Sequence, residues 1–403
     1  MKRNHRIVVG VMAALLTLAL ALTGCGTGGG GGTSGGTTTF NIGFGGPLTQ
    51  GDVSFGQGGE RATKLAIENA NKSQEAKDAG IQFKVISGDD QSLADVGTTV
   101  ANQFVSDKNM VGVVGHFNST VSIAASKVYN QSNFVQISYG STNPDLTKQG
   151  FKNVFRTCAT DDLQGPTGAD RANKLGFKNV AIVNDSSPYG QGLVKAFKDE
   201  FLKNGGKVVF EDATQQKQND FTALVTKIAA AKPDLVYFGG TYAPDTGAGA
   251  LFAKQLKSGG VTVPMMGGDG LYAPEFITGA GADAAEGNFA TCPGMPVELL
   301  PNGKQFAADY VAMFPGQQPA PFDAYAYDAA NAIINATYKV AKDLGVNKVT
   351  SPAGRDALLA AVAATDFDGV TGKVSFDNKG DNNNRVITLY KVVNGKWEAQ
   401  PEQ

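Results

Sequence analysis

The chain has 403 residues, a formal net charge of −2 and a hydrophobic fraction of 42%. That length is more than one core comfortably fills and argues for two domains. The near-neutral charge, with no basic run and no interleaving of aromatic and basic residues, excludes nucleic acid and anionic lipid as partners recruited by charge.

At the N-terminus Lys2, Arg3 and Arg6 precede an uncharged apolar run, 7–22, that ends in Thr23 and Gly24. This is the order of a secretory signal. The run is shorter than the roughly 20 residues an α-helix needs to cross a bilayer, so residues 1–24 are expected to be removed rather than to form a permanent span. Leu22-Thr23-Gly24-Cys25 resembles the bacterial lipobox, which implies that Cys25 becomes the acylated N-terminus. Acyl chains contribute about 0.8 kcal/mol per buried methylene, enough in pairs to anchor a domain on a membrane's outer face. Residues 26–39 contain only Gly, Thr and one Ser, a composition that buries nothing, so 25–39 reads as a lipidated Cys on a flexible tether.

From Phe40 onward, short β-rich apolar runs alternate with amphipathic stretches, as expected of parallel strands joined by crossover helices. Strands are predicted at 40–44, 83–87, 111–114, 134–137, 180–183, 208–210, 235–238 and 261–265. Helical spacing covers 59–71, 96–106, 122–129, 167–175, 191–203, 221–230 and 246–256. The rhythm runs once before Gly150 and again over 178–267, giving two similar doubly wound units. Beyond Ala290 helices are predicted at 305–314, 323–344 and 353–363, then two β segments at 372–376 and 386–392.

In open parallel sheets ligands sit where strands end and helices begin. Gly115-His116-Phe117-Asn118-Ser119-Thr120 and Ser138-Tyr139-Gly140-Ser141-Thr142 follow two such strands and are rich in hydroxyls. A hydroxyl loop that opens a helix suits a carboxylate, although each hydroxyl taken alone reads as a cap before it reads as a ligand. Enzyme chemistry finds little to use. Of the two histidines only His116 survives processing, and it has no G-x-S-x-G partner. No paired histidines or C-x-x-C spacing point to a metal. Gly43-Phe44-Gly45-Gly46 with Asp89 and Asp90 has parts of a dinucleotide site, but Pro47 and the loop to Phe55 break the G-x-G-x-x-G pattern. The chain is expected to be a non-enzyme without cofactor or metal.

Together, Val114-Gly115-His116 with Ser119, Ile137-Ser138 with Thr142, Pro144 and Leu146, and Arg156-Thr157 with Gln164-Gly165-Pro166-Thr167 form a recognisable order. Ile182-Val183-Asn184-Asp185, Tyr189-Gly190-Gln191-Gly192-Leu193, Val236-Tyr237-Phe238-Gly239-Gly240 and Met266-Gly267-Gly268-Asp269-Gly270 continue it. The chain resembles the periplasmic leucine/isoleucine/valine-binding proteins of ABC transporters from Phe40 to about Val393. The resemblance implies an α/β, type I periplasmic binding fold: two doubly wound parallel-sheet lobes joined by three crossover strands. It places lobe one at 40–157 plus 293–375 and lobe two at 158–292 plus 376–403.

The resemblance also implies roles. Ser119 and Thr142, with backbone at Gly140, would take an amino acid carboxylate. Asp269 would pair with its ammonium. Phe55, Tyr189, Tyr242 and Phe322 would close the pocket, Phe55 standing where the family has a Tyr. The two sites fall on opposite lobes, so a zwitterion bridging them favours the closed state. Asn118 adds a polar group that could suit an amide, urea or polar amino acid. With Cys25 lipidated, Cys158 and Cys292 remain; both align with lobe crossovers, and a disulfide there would staple two hinge strands, the alternative being two buried reduced thiols. The expected partners are an amino acid, the permease subunits of an ABC importer and the membrane, with the protein itself a monomer. A ligand-sensing receptor component is the rival role.

Overall fold

Parallel strands covered on both faces are buried along their whole length, and this is how the centre of the chain is built. The computed structural model describes residues 36–401; the predicted signal and Cys25 lie outside them. In the first sheet β1 (Thr38–Gly46), β2 (Ile81–Asp89), β3 (Met110–Gly115), β4 (Gln136–Ser138) and β5 (Val154–Arg156) lie in the order β2-β1-β3-β4-β5. Every pairing in it is parallel. The second sheet uses β6 (Asn179–Asn184), β7 (Lys207–Ala213), β8 (Leu235–Gly239), β9 (Met265–Gly267) and β10 (Phe289–Pro293). After a small antiparallel ribbon, β11 (Asp366–Asp368) with β12 (Lys373–Ser375), it gains β13 (Ile387–Val393) and β14 (Lys396–Ala399). Its order is β14-β13-β10-β9-β8-β6-β7, antiparallel only at β13.

The chain therefore passes between the two sheets after β5, after β10 and again before β13. The helix Asp323–Leu344 returns to the first sheet, packing on β3 and on the helix Val53–Lys72. All of β3 and β8 is buried, as continuous apolar runs demand, whereas the edge strand β7 alternates between exposed and half-buried positions.

Several elements begin where propensity argues against them. The first helix starts at Val53, not at Gly59, because Gly56, Gly58 and Gly59 lie inside it despite their cost of about 1 kcal/mol each. Packing explains all three: a Cβ at Gly56 would lie 1.9 Å from the Pro47 carbonyl oxygen, one at Gly58 2.2 Å from Asp323 Oδ1, and one at Gly59 2.8 Å from the Tyr139 ring. The strand expected at 261–265 is displaced to β9, since Pro264 has no N–H for a ladder. The helix expected from Thr246 begins at Gly249, and the one expected from Thr167 begins at Asp161, with Pro166 inside it.

Arg156, fully buried at the end of β5, holds the junction together. Its Nε pairs with Asp381 at 2.7 Å. One terminal nitrogen donates to the carbonyls of Ser141 (2.6 Å) and Asn143 (2.9 Å), the other to Thr147 Oγ1 (2.8 Å). One guanidinium thus binds a crossover strand, the hydroxyl loop after β4 and the segment leading to β13.

Cys158 and Cys292 are separate thiols, which corrects the expected disulfide. Cys158 follows β5 and Cys292 lies in β10, so the hinge placement is found. The Cys158 thiol, however, is directed at the Ser141 carbonyl, 3.7 Å away. Burial pushes both thiols above their usual range, keeping them protonated and poor nucleophiles.

Arg156→Ala strands the Asp381 carboxylate and three acceptors; denaturant unfolding is expected to show a loss of about 3–5 kcal/mol.

Candidate ligand-binding cleft

The loops after β3 and β4 are sewn together by serine hydroxyls. Ser138 Oγ donates to the His116 carbonyl at 2.7 Å, and Ser141 Oγ donates to the Phe117 carbonyl at 2.8 Å while lying 2.7 Å from Ser122 Oγ. His116 is part of this support: its buried ring lies 2.7 Å from Asp90 Oδ2 through Nδ1 and 3.1 Å from the Tyr129 hydroxyl through Nε2. Both ring nitrogens are committed, so it is a structural histidine.

These loops bring Phe117, Asn118, Ser119 and Gly140 to one wall of a cleft between the sheets. Ser119 opens the helix Ser119–Gln131, whose first-turn N–H groups have no side-chain cap. Such a terminus carries unpaired donors and a partial positive charge. Loops after β6, β8 and β9 supply the opposite wall through Asp185, Tyr189, Thr241, Thr246 and Asp269. The space between the walls is about 30 Å³ and partly open to solvent, room for no more than a water or two.

Asp269 is the acid at the centre of the second wall. Its Oδ1 accepts from Gln164 Nε2 at 2.8 Å and from the Tyr189 hydroxyl at 3.0 Å. The Tyr189 oxygen in turn accepts from Gly270 N at 3.0 Å. Burial pushes the Asp269 carboxyl up to about 6, with the Gln164 and Tyr189 bonds pulling it back. Asp52, just before the first helix, is also raised to about 6 by burial, against the opposing bonds of Asn118 and two threonines. Asp185 is raised by burial but tied by the Ser187 amide (2.9 Å) and hydroxyl (2.5 Å). Among the described residues, no grouping of His, Cys, Asp or Glu could hold a metal ion.

Of the residues singled out from sequence, Asn118, Ser119, Gly140, Tyr189 and Asp269 meet in the cavity. Thr142 is buried behind it, beside the Asp161 carboxyl that burial pushes well up. Phe55, Tyr242 and Phe322 do not line it. Phe55 stacks on Phe117 at 4.6 Å and meets Tyr242 and Phe322 edge-on at 5.7 and 5.6 Å, an aromatic cluster backing the Phe117 wall. Sequence patterns do not single out Asp52, Asp185, Thr241 or Thr246 as cleft residues. Gln164 is visible only as part of a motif; its partner Asp269 is distant in sequence.

Two α/β sheets enclosing a polar cleft, with strand ends and helix starts converging on it, define a two-lobed solute-binding fold. Residues 39–396 match the periplasmic binding protein family, and the chain belongs to it. It is 33% identical over 362 residues to an amino acid binding protein of Pseudomonas aeruginosa, covering 89% of this chain and 92% of that one. A Leu/Ile/Val-binding protein homologue of Brucella abortus is 33% identical over 363 residues, with the same coverage. The crystal structure of a leucine-binding protein from Thermotoga maritima superposes with a TM-score of 0.79 at 25% identity, covering 90% of this chain and 98% of that one.

A carboxyl raised in the folded state favours folding at low pH, an advantage present below its unfolded pKa and lost as pH rises through the folded one. Asp52 and Asp269, both raised from 3.8 to about 6, should therefore lower the melting temperature of the ligand-free protein as pH rises from about 4 to about 7. Asp269→Asn should flatten that slope in thermal melts.

Proposed function

We propose that this protein is the extracytoplasmic solute-binding component of an ABC importer, held to the membrane by acylated Cys25 on its Gly-rich tether. It captures an amino acid between lobes spanning 40–157 plus 293–375 and 158–292 plus 376–403, and presents the closed form to the permease without transforming the ligand. The observation that carries this reading is the pairing of opposites across one cleft. The uncapped helix start with Ser119 and Gly140 on one wall suits a carboxylate, and Asp269 on the other suits an ammonium. Among the described residues, no Lys, Arg or His side chain lines the cavity to compete for that acid.

Support for an amino acid comes from the relatives' names, among them Leu/Ile/Val-binding and leucine-binding proteins. The Phe55, Phe117, Phe322 and Tyr242 cluster offers apolar surface for an aliphatic side chain once the lobes part. A ligand that contacts both walls binds the closed state better and shifts the population toward it.

Titration calorimetry with L-leucine, L-isoleucine, L-valine and polar amino acids tests the reading. Asp269→Ala should weaken the best binder by about 2–5 kcal/mol, because it leaves a buried ammonium unpaired. Unchanged affinity in that variant would remove α-amino acids as the ligand class.

A further inference from the structure

Asn118 sits where a side chain ordinarily caps its own helix. Its backbone is extended, with φ −70° and ψ 134°, the conformation of an N-cap residue, and Asn is among the best capping residues. Yet its side chain makes no cap bond. The carboxamide is turned the other way: Nδ2 donates to Asp52 Oδ2 at 2.7 Å, and Oδ1, the atom that would accept a first-turn N–H, is buried without a hydrogen-bond partner. Asp52 is fully buried and also accepts from Thr246 Oγ1 of the opposite wall at 3.3 Å. A good capping residue has been diverted by a carboxylate with no other protein group to satisfy its amide oxygen.

We infer that Asp52 is a positioning residue for the anion subsite: by holding Asn118 off its own helix, it keeps the first-turn N–H groups of Ser119–Gln131 open to the ligand's carboxylate. Without Asp52 the Asn118 side chain turns onto Thr120 and Val121 and becomes an internal competitor for the ligand. Asn118 then acts in the site through the position it is denied, and its own contact with ligand is secondary. This inference rests on the carboxylate-binding role of that helix start given above.

A double-mutant cycle tests it. Calorimetry with L-leucine on the whole mature chain should show Asp52→Ala weakening binding about tenfold, the scale of one cap bond. Asn118→Ala alone is the reference for the cycle, since it removes the competitor together with any direct contact of that side chain with the ligand. The double variant should match Asn118→Ala. If Asp52→Ala costs a further loss of about tenfold in the Asn118→Ala background, Asp52 acts by direct contact or through Thr246, and the inference is overturned.

A second readout needs no ligand. Amide hydrogen exchange at Thr120 and Val121 should slow in Asp52→Ala and return to its original rate in the double variant. Absence of that slowing overturns the inference. Should the unaltered protein give no heat with L-leucine, the choice of amino acid falls, while the exchange rates still decide how Asp52 acts.

Discussion

A guanidinium taken wholly out of water must find acceptors for its donors, and this requirement at Arg156 organises the molecule. Removing a charge from solvent costs several kcal/mol before any partner is found. Asp381, two backbone carbonyls and the Thr147 hydroxyl meet that cost, and Thr147 Oγ1 donating to Asp381 at 2.9 Å closes the cluster. Because Ser141 and Asn143 carry two of the acceptors, the loop bearing Gly140 and Thr142 cannot drift from β5. Because Asp381 carries a third, the last passage between sheets is tied to the same point. Neighbouring serine hydroxyls then fix the loop after β3 against the loop after β4. One wall of the cleft thus inherits its precision from a charge that never touches it.

The other wall is organised differently. Its central carboxylate is kept in place by a glutamine from a distant helix and by a tyrosine hydroxyl that is itself oriented by a backbone amide. Both donors favour the charged form, and burial opposes them. The outcome is an acid that stays reachable from the cleft and gains from any cation that replaces lost water. Asp52 and Asp185 add to the negative field, though each is already bonded to protein groups. The two walls thus differ in character, hydroxyls and a helix start on one and buried carboxyls on the other.

Much of this architecture is legible in the amino-acid sequence. Parallel β/α alternation follows from apolar runs and amphipathic spacing, and the rule that ligands gather at strand ends points to the loops bearing Ser119 and Gly140, whereas Asp269 comes only from the family resemblance. Where sequence patterns mislead, the reasons are specific. Glycines hide the start of the first helix, because their intrinsic cost is met by contacts with Asp323 and Tyr139 that no local pattern reveals; Asp52 is hidden with that boundary. Thr246 has helical spacing, yet its hydroxyl belongs to the cleft. Cys292 lies in β10 and Cys158 just past β5, at the crossovers expected of them, but position along the chain does not fix where a thiol points, and Cys158 turns to a carbonyl. Of the aromatic residues expected to close the pocket, Tyr189 reaches the cavity, while Phe55, Tyr242 and Phe322 group behind Phe117.

The smallness of the space between the walls has a kinetic meaning. At about 30 Å³ the cleft has no room for an amino acid with its walls in this arrangement. Entry of a solute of that size must therefore wait for the walls to separate. Contacts that join the walls directly, such as the Ser54 hydroxyl on the Tyr242 hydroxyl at 2.8 Å and the Asp52 carboxylate on Thr246, then set the height of the barrier to that opening.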